Sequence, residues 1–198
     1  LWCHDASVIT SLVQAPNQHL SPLPRAKAGR HLRSVEMLWP KAGRVLVAER
    51  LRLNTQRLVA VRTETPVLSN VWWPLRLLEQ NDDYEKALVM WLNSTLGLLI
   101  LFSHREETQG AWVKFKKPVL SGMPVLDVRR LAPQQIRQLV NAYNALGNQA
   151  LLPFPQMASD PVHQAIDAAI SEVLGLPDLS IVRKLLAQEP VVCLRRLS

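Results

Sequence analysis

Glycine is scarce in this chain, with 7 among 198 residues against 14 prolines. That leaves little room for a glycine-rich loop cradling phosphates, and no such motif occurs. Cysteine is rarer still. Cys3 and Cys193 lie at opposite ends, which gives neither a disulfide framework nor metal-ligand spacing. His4, His19, His31, His104 and His163 are scattered and form no metal-binding pair. No nucleophile-elbow motif supports a Ser/His/Asp arrangement. His104 with Arg105, Glu106 and Glu107 reads as a solvated polar turn after a buried helix rather than an acid–base site. The expectation is a chain with no catalytic residue, metal or cofactor of its own.

Long apolar runs are missing too. The most apolar stretch, Ala87 to Phe102, is shorter than the roughly 20 residues a bilayer span requires. It also contains Asn93, Ser94, Thr95 and Gly97. It reads as a helix buried by protein, and no membrane partner is expected. The chain opens at Leu1 without an initiator Met, and no basic-then-apolar signal peptide is apparent. The reading is a piece of a longer protein in a reducing cytoplasm.

What is present suits a core and an anionic partner. Hydrophobic residues make up 48% of the chain, too many for a disordered segment. The formal net charge of +7 fits nucleic acid, or an acidic protein or membrane surface. Three regions are expected: an irregular connector over 1–32, an α+β domain over 33–130, and a helical region over 131–198. No internal repeat or low-complexity tract occurs. The fold class expected is α+β, a small twisted mixed or antiparallel sheet with a long buried helix, followed by C-terminal helices.

The pattern behind those regions is local. Arg44 to Ala48, Leu58 to Arg62 and Val67 to Trp73 are β-rich runs separated by polar turns. Between the first two, alternation places Arg50, Arg52 and Asn54 on one face of a ribbon, with Leu51 and Leu53 on the other. Asp83 starts a helix with acidic residues in its first turn, running to about Leu101. Gly110 to Lys117 reads as strand or loop, and Leu120 to Val128 as extended. Pro133 to Leu146 is amphipathic, with Ile136, Leu139, Val140, Tyr143 and Leu146 on one stripe. Pro153 and Pro155 mark a linker. Asp160-Pro161 starts a helix that Gly175 ends, and a last helix spans about Asp178 to Gln188 before Pro190.

An ordered series in the middle carries a resemblance. It comprises Trp91-Leu92-Asn93-Ser94-Thr95-Leu96-Gly97, then Glu107-Thr108-Gln109-Gly110, then Val113-Lys114-Phe115-Lys116-Lys117 with Leu120, then Met123-Pro124-Val125-Leu126. The series resembles target-recognition domains of type I specificity subunits and of type IIG and related adenine-specific DNA methyltransferases, found in restriction-modification and phage-defence systems. The exit strand there ends in proline, where this chain has Leu126. Upstream, Ala48 to Thr55 and Leu68 to Trp73 are similar to the preceding strands, and the tail from Ile166 to Pro190 to the usual close. The family's Asn/Asp-Pro-Pro-Tyr/Phe catalytic signature and glycine-rich S-adenosylmethionine site do not occur. The resemblance therefore implies a recognition fragment whose partners are double-stranded DNA and the catalytic domain of its own parent chain, where S-adenosylmethionine would bind.

In that reading Arg50, Arg52, Arg57, Lys114, Lys116 and Lys117 are candidates for phosphate contact. Asn54, Thr55, Gln56 and Gln109 are candidates to read base edges, since an amide makes paired hydrogen bonds to adenine. Trp72 and Trp73 divide between core and surface, at least one being core. Asn93 and Ser94 are expected to satisfy nearby backbone. The main alternative is a protein-interaction module docking a partner through the C-terminal helices. A second is an RNA-binding adaptor.

Overall fold

A computed structural model describes residues 1, 5–21, 23–26, 28–107 and 111–194. In chain order its elements are β1 (Val13–Gln14), α1 (Val35–Leu38), β2 (Gly43–Ala48), β3 (Arg50–Arg52), β4 (Ala60–Val67) and β5 (Trp72–Leu75). They continue with α2 (Asp82–Asn93), α3 (Thr95–Ser103), β6 (Glu106–Glu107), β7 (Trp112–Lys114) and α4 (Lys117–Gly122). The C-terminal part holds α5 (Pro133–Leu146), α6 (Pro161–Leu174), α7 (Ser180–Gln188) and α8 (Pro190–Cys193). The fold class is α+β.

The strands form two small sheets rather than one. The first is mixed, in the order β1-β4-β2-β5, with β1 parallel to β4 and the remaining pairs antiparallel. The second is antiparallel, in the order β3-β7-β6. Glu49 is where the chain passes between them. Its N–H donates to the Val71 carbonyl at 3.1 Å, and its own carbonyl accepts from Phe115 N–H at 2.8 Å. A strand whose central residues are apolar on both faces, as in Val45 to Ala48, must be covered on both sides, and these residues are buried.

One covering element of this sheet is α2, which packs on β4 and whose residues from Ala87 to Asn93 are all buried. The expected single helix from Asp83 to Leu101 is two helices, bent by 69° at Ser94. Ser94 adopts extended backbone and caps α3, its hydroxyl accepting from Gly97 N–H at 3.2 Å. Gly97 is required there, because a Cβ would overlap the Trp91 carbonyl oxygen and lie 3.0 Å from Leu92 Cα. No single helix among the described residues is long and apolar enough to cross a membrane; the bent α2–α3 pair passes on length and composition only.

The C-terminal helices form where the caps and stripes place them. Ile136, Leu139 and Tyr143 of α5 are buried, with Val140 and Leu146 packed partly against the core. Val162, Ile166, Ile170 and Val173 of α6 are buried, and Gly175, at φ +64°, ends that helix in the left-handed region. Two local readings differ. Leu120 to Gly122 belong to the short α4 rather than to an extended segment, because Pro118 sits in a first turn where its missing N–H costs nothing. The start of the expected connector is core: Ile9 and Leu12 are fully buried, and β1 adds to the edge of β4.

Candidate nucleic-acid interface

The second sheet brings several of the predicted cations together. In its register Arg50 faces Lys114 and Arg52 faces Trp112, while Lys114 also faces Glu106. Directly opposed residues share a face, so Arg50, Arg52 and Lys114 lie side by side with Trp112. All three cations are exposed, and no carboxylate among the described residues lies within ion-pair distance of them. Leu51, Leu53, Val113 and Phe115 point the other way and are buried. The apolar half of the alternation anchors the ribbon, and the basic half is thereby forced outward.

The remaining predicted residues separate by role. Lys116 is exposed but pairs with Glu106 at 2.9 Å, which offsets its charge on this face. Lys117 is exposed at the start of α4. Arg57 is half-buried and committed to backbone, donating from Nε to the Ala6 carbonyl at 2.9 Å and from Nη1 to the Leu151 carbonyl at 2.6 Å. It holds the N-terminal segment against the loop before α6, a structural task that the phosphate assignment did not foresee. Gln109 lies outside the described residues.

Asn54, Thr55 and Gln56 form the turn after β3, closed by the N–H groups of Thr55 and Gln56 donating to the Arg52 carbonyl at 3.1 and 2.9 Å. Thr55 is exposed. Gln56 is only 2% exposed, so it cannot meet a base edge on the outer face. Its carbonyl accepts from Phe154 N–H at 2.8 Å, which draws the 153–156 segment beside the turn. The turn and that segment, with Asp5 to Ser7 and Trp112, enclose a cleft of about 780 Å³. Arg52, Asn54, Thr55, Gln56 and Arg57 all line it. Asn54 Oδ1 and Gln56 Nε2 are themselves buried beneath the turn surface and have no hydrogen-bond partner among the described residues. Sequence reasoning missed Trp112 and the Pro153–Gln156 wall. Trp112 alternates with Val113 in an apparent strand, which was the available signal; nothing local links Pro153 to residue 56.

Some cations elsewhere are bound internally, whereas Arg25, Arg30, Arg33, Lys41, Arg130, Arg137 and Lys184 are exposed away from the ribbon. Arg44 reaches Asp82 and Glu85 at 3.0 and 2.9 Å, and Arg62 reaches the same two carboxylates. Arg105 pairs with Glu189, and Arg183 donates to Asp167 at 2.5 Å. The Asp82 carboxyl is shifted below its ordinary range: burial opposes the shift, but the Lys86 hydrogen bond and the Arg62, Lys86 and Arg44 charges outweigh it.

The other singled-out side chains are structural. Asn93 Oδ1 accepts from the N–H groups of Val59 and Ala60 at 2.9 and 3.2 Å, and its Nδ2 donates to the carbonyls of Ala60 and Val89 at 2.8 and 2.9 Å. Trp72 is buried, and Trp73 donates from Nε1 to the Phe115 carbonyl at 3.2 Å. His104 lies in the turn after α3, with Nδ1 2.8 Å from the Ile100 carbonyl. Among the described residues no cluster of three or more His, Cys, Asp or Glu could hold a metal ion. What remains is an α+β chain with a small, outward-facing basic ribbon beside a polar cleft. No protein-family model, curated protein or solved structure matches the chain.

Proposed function

We propose that this chain is the DNA target-recognition part of an adenine-specific DNA methyltransferase, holding duplex DNA for a catalytic domain outside it. The observation that carries the reading is the juxtaposition of Arg50, Arg52 and Lys114 on one exposed ribbon face. A backbone-tracking protein needs cations that are unpaired, adjacent and rigidly based, since neutralised phosphates release counterions and give salt-sensitive affinity. Thr55, exposed at the end of the ribbon, is the best-placed of the proposed base readers. Extruding an adenine for methylation costs a few kcal/mol of unstacking, which duplex contacts of this kind offset. S-adenosylmethionine and the chemistry belong, in this reading, to the parent's catalytic domain.

The test is a gel-shift titration on duplex DNA across salt concentrations. The Arg50→Ala/Lys114→Ala variant is expected to weaken binding and to reduce the salt slope by about 2, one unit per lost phosphate contact. A folded double variant that binds like the parent would discard the assignment.

One observation favours the docking alternative. Ile181 and Leu185, one turn apart on α7, are 70% and 63% exposed. If the chain binds a protein subunit but no duplex, and Ile181→Asp/Leu185→Asp abolishes that binding, the module reading replaces the first. A preference for single-stranded RNA over duplex DNA would instead support the adaptor reading.

A further inference from the structure

Ahead of β2 the chain spends apolar residues where no core receives them. None of the residues of α1 is buried. Leu32, Val35, Met37 and Trp39 are each more than half exposed. Val35 and Met37 lie about 200° apart around a helix axis. Exposure of both means that α1 projects from the body rather than lying on it. Leu78, in the loop after β5, is 95% exposed. That loop is tied to the turn after α1, because Arg76 donates from Nη2 to the Ala42 carbonyl at 2.6 Å. Trp39 and Leu77 line one groove there. Single exposed apolar residues are ordinary, but a group of them at one corner marks a contact surface.

The charge at this corner is mostly of one sign. Residues 15–41 and 76–79 hold six Lys or Arg against two carboxylates, Glu36 and Glu79, a net +4 of the chain's +7. Arg30, Arg33 and Lys41 flank α1 and are exposed, and no carboxylate among the described residues lies within ion-pair distance of them. Glu64 also borders the groove, while Glu85 is taken up by Arg44 and Arg62.

An occupant must therefore supply negative charge and an apolar phase together. A second copy of the chain would set Arg30, Arg33 and Lys41 against their own counterparts. A duplex offers phosphates to the cations but no apolar medium to Met37 and Leu78. A bilayer surface offers both, and needs no pocket matched to a projecting helix. Separate apolar side chains sink to the acyl boundary, Arg and Lys stay among anionic headgroups, and Trp favours that interface.

We propose that this corner docks on an anionic phospholipid bilayer. Met37, Trp39 and Leu78 enter the headgroup–acyl boundary, and Arg30, Arg33 and Lys41 meet the lipid phosphates. Such a contact needs no span, which is all that the short apolar run excluded. It is also a separate surface from the ribbon. α1 precedes the start of β2 and the ribbon follows its end, and the six residues of that strand cover about 17 Å. The docking does not rest on the duplex-binding reading.

The test is co-sedimentation of the 198-residue chain with lipid vesicles. One set is phosphatidylcholine alone, and the other contains about one-third phosphatidylserine. Met37→Ser/Leu78→Ser and Arg30→Gln/Arg33→Gln change exposed positions only, where substitution barely moves stability. The parent chain is expected to bind the phosphatidylserine vesicles alone, and less as salt rises. The arginine pair should weaken binding about fivefold per cation, or about 25-fold together. The apolar pair should weaken it at least about tenfold.

No vesicle binding, or binding indifferent to phosphatidylserine, would overturn the proposal. So would an apolar pair that binds like the parent, since the contact would then be adsorption of charge alone. Duplex DNA weakened by the arginine pair but not by the apolar pair, with no vesicle binding, would assign the corner to nucleic acid instead. Gel shifts on the same variants keep the two readings apart: duplex binding that survives loss of vesicle binding leaves the ribbon assignment standing, and vesicle binding without duplex binding does the reverse.

Discussion

Asn93 concentrates more of the fold than any other polar side chain on α2. Its amide makes four hydrogen bonds, three of them to the Val59 and Ala60 backbone at the start of β4. Truncation would strand those buried groups, each at a cost of about 1–3 kcal/mol. Asn93→Ala is expected to lower stability by about 3 kcal/mol or more in denaturant titration. A loss below about 1 kcal/mol would show that the clamp is redundant. The role was legible in outline, since a lone amide in an apolar helix must find backbone, but its partner strand was not.

Tyr143 gives a pH-dependent counterpart. Burial pushes its phenol from 10 to about 12, and the nearby Arg62 cation opposes this only in part. The folded pKa lies above the unfolded value, so this group's contribution is fully present below pH 10 and is lost as pH rises toward 12. Tyr143→Phe removes the ionisable hydroxyl, so the fall in stability across that alkaline window should flatten. Identical alkaline titration curves for the two proteins would remove Tyr143 as its source.

Among elements, the α2–α3 break is the clearest case of a structure hidden within a correct sequence reading. The apolar run does form buried helix. An amphipathic stripe would have shown a change of direction as a change of face, but Leu96 to Phe102 is apolar on every side. The break was carried by Ser94 as a cap and by Gly97 as the only residue small enough at the bend. In an ordinary helix interior Gly→Ala stabilises by up to about 1 kcal/mol. Here the added methyl meets backbone, so Gly97→Ala is expected to destabilise by about 2 kcal/mol or more. A rise in melting temperature would contradict the bent geometry. By contrast α5 and α6 were fully legible, because Pro133, Asp160-Pro161 and Gly175 punctuate them and a polar face opposes each stripe.

At the scale of the molecule, the basic excess divides into cations that hold the fold and cations that face outward. Arg57 and Arg50 illustrate the division. Arg57→Ala releases two backbone carbonyls, at Ala6 and Leu151, and is expected to cost about 2 kcal/mol in thermal or chemical denaturation. Arg50→Ala should leave stability within about 0.5 kcal/mol while weakening duplex binding. If both substitutions act alike on stability, the division is wrong. Neither role can be read from composition, since the net charge counts both residues equally.

The chain by itself determined its α+β class, the alternation that buries Leu51 and Leu53 and exposes Arg50 and Arg52, and the caps of its C-terminal helices. Those properties follow from side-chain periodicity and backbone chemistry within a few residues. Tertiary structure alone decided that β3 pairs with β7, setting Arg50 beside Lys114, and that residues 5–7 and 153–156 meet the turn at Gln56. Such contacts join segments from about 50 to 100 positions apart. No local propensity encodes them, because they arise only when the two sheets and α6 share one core.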